Sequence, residues 1–143
     1  MRLGLRFLFL FLILILGLSQ AGAVEKPLQV TAADFKTEIL KSKLPVLVDV
    51  GATWCVPCRE LSPLVEKMTG VYSGKLKVAQ MDADQNAALV EQLNIQAFPT
   101  LLFFKNGKIS KTIVGSLSEK DLRSAIDHFL KSAGPQPTVK PAA

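Results

Sequence analysis

Residues 54–58 read Trp54-Cys55-Val56-Pro57-Cys58 and contain both cysteines of the 143-residue chain. They stand between a continuous apolar run, Val46-Leu47-Val48, and a helical pattern beginning near Arg59. Two thiols separated by two residues on the first turn of a helix can close a disulfide with little backbone movement. The same helix end presents N–H groups without partners and a partial positive charge, which favour a thiolate over a thiol at Cys55. The arrangement points to thiol–disulfide exchange.

Other uses of the pair fit less well. A structural zinc site takes about four ligands, and the chain offers two Cys and one His. His128 falls in a helical stretch far along the chain, where a solvated helix residue is the simpler reading. A purely structural disulfide in so short a loop constrains the unfolded chain far less than a long-range bridge does. Cys55 is therefore the expected nucleophile, because it precedes the helix and can stay partly exposed. Cys58, one turn further in, is the expected resolving thiol. Attack by Cys55 on a substrate disulfide gives a mixed disulfide, and attack by Cys58 releases the reduced substrate. Run backwards, the same steps oxidise a substrate. No metal, flavin or nucleotide is required. Pro57 fits an early helix position where its missing N–H costs nothing.

The elements that must hold this pair can be read from periodicity. Leu28-Gln29-Val30 is a short strand candidate, and Thr31-Ala32-Ala33-Asp34 resembles a capping box opening a helix through Phe35, Ile39 and Leu40. Leu44 to Val50 reads as a fully buried strand because its apolar residues run on without alternation. After the cysteines, Leu61, Leu64, Val65, Met68 and Tyr72 mark one apolar helix face, with Pro63 predicting a kink inside it. Lys77 to Asp82 is a third strand, followed by a helix carrying Ala88, Leu89 and Leu93. Thr100 to Lys105 and Lys108 to Val114 flank Asn106-Gly107, a strong hairpin signal. The last helix opens at a second capping box, Ser118-Glu119-Lys120-Asp121, and presents Leu122, Ala125, Ile126, Phe129 and Leu130 on one side. Strands alternating with helices and then a hairpin predict an α/β three-layer sandwich with a mixed sheet.

Asp49 breaks the apolar strand. A carboxylate between Val48 and Val50 is costly to bury, and desolvation should raise its pKa toward the range useful for proton transfer. The plainer alternative is an Asp at a strand end facing solvent.

At the N-terminus, Arg2 and Arg6 precede an apolar run from Phe7 to Leu18, and small residues follow to Ala23. This is the layout of a signal peptide over residues 1–23, with the mature chain beginning at Val24, or of an uncleaved membrane anchor. Either way the folded part is expected outside the cytoplasm, in a periplasm or another extracytoplasmic space. Residues 24–133 suffice for one domain, and residues 134–143, with Pro135, Pro137 and Pro141, describe a flexible tail. The formal charge of +5 falls to +3 without Arg2 and Arg6. The remaining charges are mixed in sign, which leaves no nucleic-acid footprint and suggests a soluble monomer.

From about Leu28 to Lys131 the chain resembles thioredoxin, with VLVDV, ATWCVPC, the proline inside the following helix, FPTLLFFKNGK and VGSLS in thioredoxin order and spacing. The resemblance implies a five-stranded sheet with two helices on each face in a three-layer α/β/α sandwich, and a cis peptide before Pro99. It also implies that Asp49 handles the proton of Cys58. Phe98 would supply backbone that pairs with a substrate peptide, followed by Pro99 and Thr100. Trp54 would cover the dithiol and offer an apolar docking surface, and Gly115 would complete the groove by permitting close approach. Three positions depart from the pattern: Gly51 where many thioredoxins have an aromatic, Thr53 where an acid is common, and Gln80 where a lysine often stands near the buried acid.

The resulting expectation is an exported thiol–disulfide oxidoreductase that mainly reduces protein disulfides, drawing electrons from a membrane protein. Its rivals are a dithiol oxidant or isomerase of the same fold, or a binding module that holds unfolded proteins or delivers Cu(I). Strong oxidants of this fold tend to insert a helical domain and to carry a His between the cysteines, and this chain does neither.

Overall fold

The computed structural model describes residues 25–132. The expected leader, residues 1–23, and the tail, residues 134–143, lie outside them. Five strands form one sheet: β1 (Leu28–Gln29), β2 (Val46–Gly51), β3 (Lys77–Asp82), β4 (Thr100–Lys105) and β5 (Lys108–Val114), in the order β1-β3-β2-β4-β5. The β1–β3 and β3–β2 pairs are parallel, whereas β4 runs antiparallel to both β2 and β5. The sheet is mixed, as expected.

Alternation along the central strands decides which helix covers which face. Leu47, Val78, Leu101 and Phe103 point to one side, where they pack with Leu61, Val65 and Met68 of α2 (Val56–Val71) and with Leu122, Ile126 and Phe129 of α4 (Glu119–Lys131). Val46, Val48, Val50, Ala79, Met81, Leu102 and Phe104 point to the other. There they meet Phe35, Ile39 of α1 (Lys36–Leu40) and Val90 of α3 (Ala87–Gln92). Two helices therefore lie on each face. Because Asp49 and Gln80 share the parity of Leu47 and Val78, both belong to the α2 side, and they are direct partners in the β2–β3 register.

The first helix is shorter than its sequence signal. Of the Thr31–Asp34 capping box, the Thr31 N–H donates to Asp34 Oδ1 at 2.6 Å. The chain then makes a single π-type turn, closed by Lys41 N–H to the Lys36 carbonyl at 3.1 Å. Only Phe35 and Ile39 bury there, too little apolar face to extend a helix. By contrast α2 starts earlier than its periodicity suggests, at Val56, because its first turn is fixed by a cap rather than by apolar spacing. Pro63 does not break it. Pro63 sits on the exposed side of the helix, which continues past it to Val71. The hairpin turns at Asn106 (φ 53°) and Gly107 (φ 73°), both left-handed, as the Asn-Gly pair requires. At α4, Ser118 Oγ accepts the Asp121 N–H at 3.2 Å, which caps the helix as its sequence predicts. Among the described residues no helix is long and apolar enough to cross a membrane.

Leu61 is fully buried where α2 meets the sheet. Leu61→Ala should lower unfolding stability by about 3 kcal/mol, because the site loses transfer energy and retains a cavity. Urea denaturation followed by circular dichroism checks this, with the midpoint shifting and the slope preserved.

Candidate functional site

After β2 ends at Gly51, the chain turns through Ala52, whose carbonyl accepts the Cys55 N–H at 3.1 Å. This turn delivers Cys55 to the N-cap of α2 with extended backbone (φ −79°, ψ 107°). Its carbonyl already accepts from Arg59 N–H at 3.2 Å, and its sulfur accepts the Cys58 N–H at 3.3 Å. The side chain that caps the helix is thus the sulfur itself, so negative charge on it faces a helix N–H and the positive end of the helix. Cys55 and Cys58 are disulfide-bonded, with 5.3 Å between their Cα atoms. Pro57 is the second helical residue, where an N–H would have no partner within the helix.

One expectation is corrected here. Cys55, expected to stay partly exposed, is buried at 5% exposure, as is Cys58 at 6%, because the closed disulfide packs both sulfurs against their neighbours. With the disulfide closed, both sulfurs belong to one small cluster with Ala52, against which Phe98 packs. Trp54 is 63% exposed, its Nε1–H donating to Asp84 Oδ2 at 2.9 Å and its ring meeting Phe98 edge-on with centroids 6.1 Å apart. It stands beside the dithiol as an apolar wall, with the equally outward Val56 next in sequence but one.

The loop before β4 completes the rim. The Phe98–Pro99 peptide is cis, as the resemblance implies. Among the described residues neither the N–H nor the C=O of Phe98 is hydrogen-bonded, which leaves a backbone edge free beside the cysteines. Buried Thr100 anchors the loop by donating its hydroxyl to the Ala97 carbonyl at 2.7 Å. The Pro99 carbonyl accepts the Gly115 N–H at 2.8 Å. Gly115 takes φ +98°, and nothing lies within 4 Å of where a side chain would start. Glycine is favoured here by the backbone conformation alone, since a side chain would meet open space.

Asp49 is buried, 5% exposed, on the α2 side of the sheet, which excludes the solvent-facing alternative. Burial raises its carboxyl from the usual 3.8 to about 6, partly offset by a hydrogen bond from Gln80. That bond is long: Gln80 Nε2 lies 3.4 Å from Asp49 Oδ2 but only 2.7 Å from Ser62 Oγ. Among the described residues Asp49 Oδ1 has no hydrogen-bond partner. Where a lysine would place a cation against this acid, the chain has a neutral amide held by Ser62 and, through its Oε1, by Gln29 at 3.1 Å. Asp49 and Cys58 line one cleft, so the acid is on the side of the inner cysteine.

The profile of the thioredoxin family matches residues 26–128, all five strands and the helices up to His128 in α4. The chain belongs to the thioredoxin family. It is 41% identical over 101 residues to thioredoxin 1 of Synechococcus elongatus, covering 71% of this chain and 94% of that protein. It is 40% identical over 102 residues to thioredoxin of Synechocystis sp., covering 71% and 95%. The M-type chloroplastic thioredoxin of Spinacia oleracea is 35% identical over 108 residues, covering 76% of this chain and 60% of that one. Family and cysteine pair together make this a protein-disulfide oxidoreductase.

Two residues of this thioredoxin escape its sequence. Ser62 follows Cys58 by four positions on the inward side of α2, a spacing from which its approach to the site was readable. Asp84 reaches Trp54 across the β3–α3 connection, and no local pattern announces that contact.

The pKa of Asp49 makes stability depend on pH. The raised value means that the native state holds a proton between about pH 4 and 6 that the unfolded chain has released, so stability falls as pH rises through that window. Above it, burying the ionised carboxylate costs about 3 kcal/mol for a shift of about two pH units. Asp49→Asn should therefore stabilise the protein by about 2–3 kcal/mol at pH 8 and by little near pH 4. Urea titrations at the two pH values measure the difference.

Proposed function

We propose that this thioredoxin is an extracytoplasmic protein-disulfide reductase. The observation that carries the redox reading is the sulfur of Cys55 capping α2 with Cys58 already bonded to it. In the reducing direction the Cys55 thiolate, stabilised at the helix end, attacks one sulfur of a substrate disulfide and expels the other as a thiolate. The substrate segment lies along the free backbone of Phe98, beside Pro99, Thr100 and Gly115, with Trp54 and Pro57 forming apolar walls. Cys58 then gives its proton to ionised Asp49 and attacks Cys55. This breaks the mixed disulfide, releases the second substrate thiol and leaves the bonded pair.

The extracytoplasmic setting is supported by the basic, apolar and small-residue segments of residues 1–23, which precede the matched region. In an oxidising compartment a reductase needs its electrons delivered, which favours a membrane protein as donor. The domain acts as a monomer. The choice of a thioredoxin-like reductase over an oxidant is supported by the two cyanobacterial relatives, each named a thioredoxin and matched over nearly its full length.

Insulin reduction with dithiothreitol should be lost in both Cys55→Ser and Cys58→Ser, while a double variant that still holds unfolded protein or Cu(I) at full strength would favour a binding module. Titration against glutathione should give a midpoint near about −270 mV, and a value above about −200 mV would reverse the physiological direction. Resolution of the mixed disulfide should slow as pH falls through about 6, where Asp49 takes up its proton. In Asp49→Asn that titration should vanish and the rate should drop by about tenfold or more. Stopped-flow measurement across pH reads both.

A further inference from the structure

Four side chains from four elements are linked at the buried acid. Gln80 of β3 stands beside Asp49 of β2 in the sheet register. Its Nε2 donates to Ser62 Oγ of α2 at 2.7 Å and to Asp49 Oδ2 at 3.4 Å, while its Oε1 accepts from Gln29 Nε2 of β1 at 3.1 Å. Among the described residues this long contact is the one hydrogen bond that reaches the Asp49 carboxyl, since Oδ1 has none. Ser62 follows Cys58 by one turn on the same helix, so the network runs from the helix of the inner cysteine to the edge strand of the sheet.

The two partners of the Gln80 amide act differently. An amide carries two N–H donors at one end and a carbonyl acceptor at the other, and a half-turn exchanges them. Gln29 gives a donor to the Oε1 end, which fixes the N–H end toward Asp49 and Ser62. Ser62 then holds Nε2 at an ordinary hydrogen-bond distance and leaves the acid at the far limit of one. A carboxylate that received a full amide hydrogen bond would be a weaker base, and a carboxyl that faced the amide carbonyl would keep its proton. The observed placement lies between these extremes.

We infer that Ser62 and Gln29 are positioning residues for the resolving step: Gln29 sets which end of the Gln80 amide faces Asp49, and Ser62 sets how far that end stands off. The inference deepens the reductase reading and rests on the role given there to Asp49 as acceptor of the Cys58 proton. Both residues act through Gln80. The other charged groups on the shared cleft are Arg59 of α2, which donates to the Thr53 carbonyl at 3.1 Å, and Asp82 of β3, whose Oδ1 accepts the Asp84 and Gln85 N–H groups. On the same side of the sheet β4 and α4 contribute apolar Leu101, Leu122 and Ile126. With the disulfide closed, Cys58 does not titrate. Substitution at position 62 or 29 alters none of these groups, so a shift between variants reports the amide.

Carboxyl NMR of the oxidised protein follows the titration of Asp49, identified by the resonance that Asp49→Asn removes. The wild-type midpoint is expected at about 6. In Ser62→Ala the amide is free to close on the carboxylate, and the midpoint should fall by about one pH unit. Ser62→Thr keeps the hydroxyl and should restore the wild-type value. In Gln29→Ala, on an exposed strand, water takes the place of the donor; because water donates and accepts alike, the amide can turn its carbonyl to the protonated acid. There the midpoint should rise by about half a unit. A midpoint that is unmoved or raised in Ser62→Ala overturns the part given to Ser62, and one that is unmoved or lowered in Gln29→Ala overturns that of Gln29. Stopped-flow resolution of the mixed disulfide should show its pH inflection moving in the same direction in each variant. An inflection that stays in place while the carboxyl titration moves overturns the role in resolution. The NMR titration needs no turnover, so a wild type unable to reduce insulin would sink the reductase reading and leave the amide measurement standing.

Discussion

The positive end of α2 is capped by sulfur. A helix that begins with free N–H groups needs an acceptor, and here the cap is a cysteine side chain in place of the usual hydroxyl or carboxylate. Everything in the site is arranged around that substitution. The turn after β2 sets the entry of the chain into the helix, Pro57 occupies a position where no N–H is wanted, and Cys58 arrives one turn later within bonding reach. The same electrostatic feature that lowers the cost of a thiolate on Cys55 makes it a good leaving group, so one interaction serves both halves of an exchange cycle.

Against this stands an opposing term. Asp49 lies in the same layer, between the sheet and α2, with one oxygen unpartnered and the other held weakly by Gln80. Its ionisation is expensive because burial strips the carboxylate of water, and Gln80 is committed more closely to Ser62. The protein thus retains a carboxyl group that titrates near neutrality, at a cost in stability that a hydrophobic or amide residue would not incur. Such a cost is intelligible where a proton must be moved beside a buried thiol. Asp49 lines one cleft with Gly51 and Cys58, which gives the inner cysteine an environment quite different from the apolar outer rim at Trp54 and Phe98.

Much of the fold was legible because its strongest signals are periodic. The unbroken apolar stretch of β2, the Asn106-Gly107 turn and the one-sided pattern of α4 each reflect a local rule that tertiary packing reinforces. The first helix was overread: its capping residues are present, but with only Phe35 and Ile39 to bury, the segment closes after one turn. The start of α2 was underread for the opposite reason, since a cap made by sulfur carries no apolar periodicity.

By itself the sequence determined the chemistry and its scaffold: the spacing of the two thiols, the acid inside an apolar strand, and the alternation that places both on one side of the sheet. These follow from covalent spacing and from the repeat of helix and strand. Tertiary structure alone decided how far the sulfurs are covered, that Asp84 turns Trp54 outward, that Ser62 draws Gln80 from Asp49, and that Gly51 lies against Cys58. Each of these depends on distances between residues remote in the chain, or on the volume a missing side chain leaves, and neither is encoded in local pattern.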